Sequence, residues 1–420
     1  MTRASGPSPL DTRERTGLAL FAGHLLGLFS IALSNILLGL SLLAAPFVLA
    51  RRRVELSPSG RRWLWLLGLY VLMLCASTAL SYQPRVSAKS LSDVFNLTTP
   101  LLAILLLRRE RDVRRLVVGL VVLGALLALT GLVQYAVGYD DLDRRIRGSM
   151  SHYMTFSGVL LICNCLLLGW MAFGRGRRRV WAWLALLAIS AAILVSYTRN
   201  AWVAMAVVLT VLALFRAPKL LLAYLPLGLV VLLLAPVPIL QRAGSIFDLS
   251  DPSNYDRLCM AYAGVHMVSD RPLFGLGPDM VPQRYSIYRH PTAPRFWVPH
   301  LHNSFLTLAA ERGLASLAIF LAMLGTSGWT TIRRLRAEGW RRSPRADLYF
   351  GVLLTLVAFV VAGLFEDNWA DTEVQRLFLF VLVIPFCLTR PGAGSPEVEA
   401  AAGEAAMGAK PGGMMTLSEP

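Results

Sequence analysis

Apolar segments long enough to cross a bilayer recur along most of this 420-residue chain, and they decide its fold class. They run over roughly 17–32, 34–50, 63–81, 91–107, 116–137, 153–173, 180–197, 201–215, 219–239, 304–331, 347–365 and 374–390. About 20 apolar residues at 1.5 Å each cross a hydrocarbon core of ~30 Å. Backbone amides find no water there, so such segments fold as helices. The expectation is an all-α integral membrane protein with about 12 transmembrane helices. Hydrophobic residues make up 55% of the chain and its mean hydropathy is +0.57, more apolar surface than a soluble core hides. The first two segments are short and meet near Ser34-Asn35. The stretch that begins near Thr16 lacks a small-residue cleavage site, so it is expected to stay as a membrane segment.

The net charge of +16 invites a nucleic-acid partner, but the placement of the cations argues against one. Arg51-Arg52-Arg53, Arg108-Arg109-Glu110-Arg111, Arg175–Arg179, Arg216 with Lys219, and Arg333-Arg334-Leu335-Arg336 follow every second span. With twelve spans these runs share one side with both termini, and the positive-inside rule makes that side cytoplasmic. The expected organisation is a cytoplasmic tail over 1–16, helices one to nine over 17–239, and an outward loop with short helices over 240–303. Helices ten to twelve follow over 304–390, then a disordered cytoplasmic tail over 391–420, rich in Gly, Ala, Glu and Pro. Within the long loop, about 255–268 reads as a helix and Arg271–Pro278 as turns. Cys259 is the one cysteine in that loop, so an internal disulfide has no second thiol there.

Several outward residues are candidates for chemistry. Arg199, in Ser196-Tyr197-Thr198-Arg199-Asn200-Ala201-Trp202, lies between two spans with almost no loop, where an unpaired charge is costly. Its planar fork suits a phosphate, against the alternative of snorkelling to the headgroups. Arg257 opens the loop helix and competes between a ligand and a salt bridge with Asp256 or Asp251. Arg147 precedes Gly148–His152, with Arg144 and Arg145 equally available. Other outward arginines are Arg242, Arg271, Arg284, Arg289 and Arg295, about half of them expected as solvated surface. His302 sits where the long loop meets an apolar helix, and histidine is the side chain most often used as a base. It competes as a base with a structural role, with His300 close by and Asn303 placed to orient the ring. Glu311 lies nine residues on, two and a half turns away, and is expected to brace the turn at Gly313. Asp141-Leu142-Asp143 is a weak imitation of a metal-binding acidic pair.

Three ordered segments together resemble the O-antigen ligase family of bacterial envelope enzymes, within a superfamily shared with O-antigen polymerases and protein O-oligosaccharyltransferases. They are Ser196–Trp202, then Arg257 through Met260–Ala263 to Pro272–Gly277, then His302-Asn303-Ser304 leading to Glu311-Arg312-Gly313. The likeness covers about 147–325 by motif and the rest by topology alone. Ser316 departs from it, standing where the family often has a second glycine.

The resemblance implies a GT-C-like fold in the bacterial inner membrane with a periplasmic active site. It implies inverting transfer of a glycan from undecaprenyl pyrophosphate to a sugar hydroxyl of lipid A core, without metal or other cofactor. His302 would then be the base, Arg199, Arg257 and Arg147 the pyrophosphate clasp, and Asn303 and Glu311 supporting residues. O-antigen polymerase and protein O-oligosaccharyltransferase activities use the same donor. A transporter of polyprenyl-linked sugars would need charges deep within several spans.

Overall fold

The computed structural model describes residues 11–50, 56–138, 145–174, 180–216, 218–223, 237–246, 248 and 250–388, which hold helices and no strand. The first group of helices is α1 Thr12–Leu26, α2 Ile31–Leu49, α3 Pro58–Ala79, α4 Pro84–Ser87, α5 Asp93–Leu106 and α6 Glu110–Ala136. Next come α7 Tyr153–Phe173, α8 Val180–Val195, α9 Arg199–Arg216 and α10 Val237–Gly244. The rest are α11 Pro252–Asp270, α12 Met280–Tyr288, α13 Ser304–Ala337, α14 Ala346–Gly363 and α15 Thr372–Cys387. By length and composition, α2, α3, α6, α7, α9, α13 and α14 can cross a membrane, and α8 is a shorter apolar helix.

Each apolar segment read from the sequence coincides with a described helix except 219–239, most of which lies outside the described residues. Arg51–Arg53, Arg175–Arg179, Asp141, Asp143, Arg144 and the tail beyond 388 also lie outside them. The junction of α1 and α2 falls at Gly27–Ser30 rather than Ser34-Asn35. Ser34 is held inside α2, because its hydroxyl bonds buried His24 and accepts from Arg376.

α7 lies at the centre, buried along nearly its whole length. It packs closely on α14 where Gly169 meets Gly351, since a Cβ on Gly169 would stand 2.5 Å from the Gly351 amide nitrogen. Small residues let membrane helices approach in this way.

The long loop is an ordered cap with its own core of Met260, Ala263, Met267, Leu276, Met280, Val281, Tyr285 and Val298, closed by Leu301 and Ala310. The loop helix extends over 252–270, and α12 is a second short helix of the loop. The cap is welded to α13 at a break in that helix. Gly313 takes φ +81°, which frees backbone groups on either side. The loop supplies the missing partners: Leu276 N donates to Ala310 O at 2.9 Å, Gly277 N to Glu311 O at 2.9 Å, and Leu314 N to Pro272 O at 2.7 Å. Ser77 of α3 donates to both Phe274 O and Glu311 O. Two of the sequence segments singled out above are therefore the two halves of one joint, which fixes where α13 begins and so where His302 stands.

Candidate active site

The cap, the first turns of α7 and α9, the loop before α13 and the loop before α15 enclose a cavity of about 740 Å³. Five arginines line it: Arg145, Arg199, Arg242, Arg257 and Arg295. Asp256 is paired with Arg295 at 3.0 Å. The remaining acids, Glu366, Asp367 and Asp371, come together from one short loop, beside His300 and His302.

His302 stands in the left-handed region at φ +49°, unusual for a residue with a side chain. Asn303 follows as the cap of α13, its Oδ1 accepting from Phe305 N and Leu306 N and its amide donating to Leu364 O. That occupies Asn303, and the ring is held by another residue. Nδ1 of His302 lies 2.9 Å from Oε2 of buried Glu366. The backbone N–H of His302 donates to His300 Nδ1 at 3.2 Å, so a neutral His300 carries its proton on Nε2, which faces Glu366 Oε1 at 3.6 Å. One carboxylate thus gathers two imidazoles. Burial pushes the Glu366 carboxyl up, but the bond and charge of His302, with His300, hold it below the ordinary range. Burial lowers His300, with Glu366 opposing. Among the described residues Nε2 of His302 has no partner, and an imidazole with Nδ1–H on a carboxylate presents Nε2 as a base.

Residues 184–321 match the family model described as O-antigen ligase. Over those residues, about a third of the chain, the sequence is similar to the O-antigen ligase family. The match includes Arg199, Arg257 and His302 but ends before Glu366. No curated protein matches the chain.

The arginines around the cavity differ in what holds them. Arg199 is buried and grips the cap: Nη1 donates to Ser245 O and Oγ at 3.0 and 2.8 Å, and Nη2 meets Asp251 Oδ1 at 3.3 Å. Three of its five N–H donors are thereby engaged. Arg257 has no hydrogen-bond or ion-pair partner among the described residues, so the salt bridge weighed from sequence does not form. Burial lowers its pKa, partly offset by Glu366 and deepened by Arg199. Arg242 keeps a buried Nε without a partner, and burial with the nearby Arg145 and Arg199 lowers it as well. Arg145 stacks over Tyr153 at 4.5 Å. Arg147 does not line the cavity; it donates to Ser151 O at 3.3 Å, and Arg145 takes the place foreseen for it. Arg271 and Arg284 stack on Tyr82, and Arg289 on Phe296, all away from the cavity.

Glu311 is also outside the cavity. Its Oε1 accepts from Val281 N at 3.0 Å and its carbonyl from Gly277 N, so it braces the joint at Gly313. Ser316 is buried and bonds back to Arg312 O.

Metal chemistry is the other use for a histidine–glutamate cluster. His300, His302 and Glu366 each place a ligand atom within 4.8 Å of the others, a spread one divalent cation can bridge. The hydrogen pattern points elsewhere: His300 Nδ1 already accepts an amide, which makes its Nε2 a donor toward Glu366 rather than a lone pair. Glu366, Asp367 and Asp371 were legible only as acids in an outward loop. The signal available was the one used for Arg199, a crowd of charges between two apolar spans that is costly unless partnered.

Proposed function

We propose that this protein is an O-antigen ligase, an inverting glycosyltransferase. It moves a glycan from undecaprenyl pyrophosphate to a sugar hydroxyl of lipid A core at the periplasmic face of the inner membrane. The observation that carries the reading is the unpartnered Nε2 of His302, braced through Nδ1 by Glu366, in one cavity with Arg257, Arg242 and Arg199.

Nε2 of His302 takes the proton as the acceptor oxygen attacks the anomeric carbon. The bond from that carbon to the pyrophosphate oxygen breaks, and the pyrophosphate leaves with the electron pair. Arg257 and Arg242, whose donors are least engaged, meet the growing negative charge. Arg199 shapes the cap and offers its two remaining donors. The leaving group is already activated, so no metal or nucleotide takes part. A single displacement inverts the anomeric centre, as in one-step glycosyl transfer.

Reconstitution with purified lipid-linked glycan and two rival acceptors, lipid A core and a second lipid-linked unit, tests the reading. Product on lipid A core is expected. Product on the lipid-linked unit alone makes the enzyme a polymerase and overturns the ligase assignment.

A further inference from the structure

At the end of the bundle opposite the cavity, α1 and α6 diverge around a second opening of about 510 Å³. They start at the same end. They touch deeper in, where a Cβ on Gly119 would stand 3.0 Å from Leu26. Above that contact the groove is walled by Leu18, Ala19, Ala22, Leu26 and Leu116. On α1 these follow Arg15 along one face at helical spacing. Ala19 and Ala22 are the small members of that face.

The mouth carries Arg15, Arg109, Arg111 and Arg115, with Asp112 as the one acid among the lining residues. Asp112 is buried and serves both Arg111 and Arg115 at 3.8 and 3.9 Å, the far limit of an ion pair. Both guanidinia are largely exposed, 59% and 75%. Arg15, Arg111 and Arg115 thus bring three positive charges to a mouth where Asp112 is the one lining acid. From Arg15 to Leu26 is eleven residues, about 16 Å of helix rise, close to one leaflet of a ~30 Å hydrocarbon core.

From this match of charge and depth we infer a binding site for one anionic glycerophospholipid of that leaflet. The phosphate sits among Arg15, Arg111 and Arg115, and an acyl chain lies along Ala19, Ala22 and Leu26. Polybasic clusters at a membrane surface attract anionic headgroups in this way, and the apolar groove distinguishes a lipid from a free phosphate. The site is remote from His302 and does not depend on the ligase reading.

Native mass spectrometry of the full chain, released from nanodiscs of equal phosphatidylglycerol and phosphatidylethanolamine, tests it. The wild type should retain phosphatidylglycerol preferentially. Arg111→Gln/Arg115→Gln should bind it about 30-fold more weakly, from about fivefold for each surface arginine. Ala22→Trp, which fills the groove and leaves the arginines in place, should also lose it. Glycerophosphoglycerol, the headgroup without chains, should not displace the lipid. Equal retention of both lipids, retention undiminished in either variant, or full displacement by the chainless headgroup would overturn the site.

Discussion

Nδ1 of His302 and Oε2 of Glu366 meet at 2.9 Å across 64 residues of sequence, tying the start of α13 to the loop before α15. The carboxylate fixes which ring nitrogen carries the proton and stabilises the imidazolium that forms when Nε2 accepts another. Glu366→Gln keeps the volume but exchanges an acceptor oxygen for an amide. Glycan transfer should fall on the order of 10²-fold, with donor binding retained, because the loss falls on proton transfer. Steady-state rates at saturating donor check this. A rate within twofold of wild type would show that Glu366 only packs the loop.

Arg199 and Arg257 line the same cavity but should respond oppositely in stability. Removing Arg199 takes away both bonds to Ser245 and one partner of Asp251, which keeps Ser253 N and Asn254 N, so Arg199→Ala should lower stability by about 1–3 kcal/mol. Arg257 is desolvated without a partner, so Arg257→Ala should leave thermal stability unchanged or raised while transfer collapses. Arg257→Lys keeps the charge and loses the fork, and should also lose most activity. Thermal melts in detergent beside activity assays separate the two residues. Equal destabilisation by both alanine variants would refute the division of roles.

Membrane class and helix placement were legible because apolar runs of spanning length have few alternatives. His302 was legible because a polar loop ends there on an apolar helix. Its partner was not, since nothing local to Glu366 says that its carboxyl turns toward a ring 64 residues away. Asn303, adjacent to His302, looked like the orienting residue, but an N-cap has first claim on a side chain in that position. Arg145 and Arg147 lie two residues apart in one polar stretch, and only the folded chain shows that Arg145 lines the cavity.

Asp371 gives the site a pH signature. Burial pushes its carboxyl from 3.8 up to about 7, with a hydrogen bond from Thr155 opposing. The folded protein therefore keeps a proton that the unfolded chain releases above about pH 4. Stability from this group is complete below that pH and drains away as pH rises through 7. Asp371→Asn should then raise the melting temperature at pH 8 by about 2–4 °C, on the order of 1 kcal/mol, with little gain at pH 4. A gain equal at both pH values would show that the substitution acts through packing.

Activity should persist in EDTA, because the proposed displacement uses a base and cations supplied by side chains alone. The histidine–glutamate cluster makes the test informative, since those three residues lie within bridging distance of one ion. Assay with and without chelator, followed by zinc add-back, decides it. A rate abolished by EDTA and restored by metal would assign the cluster to a cation.

The joint at Gly313 should tolerate no side chain. Its φ of +81° is strained for any L-residue, and a Cβ there would stand 2.0 Å from the carbonyl oxygen of Leu273. Gly275 faces it with φ +71° and the Glu311 carbonyl 2.4 Å from its own missing Cβ. Neither obstacle is the end of a flexible side chain; both are backbone held by the bonds that satisfy the broken helix. Gly313→Ala should separate the cap from α13, exposing Ala310 O and Glu311 O and costing about 3 kcal/mol or more from strain and lost hydrogen bonds together. His302 would lose its fixed approach to Glu366 at the same time. Limited proteolysis of the cap over 271–279 reads the separation directly. A variant as protease-resistant and as active as wild type would show that the break in α13 is dispensable for positioning the site.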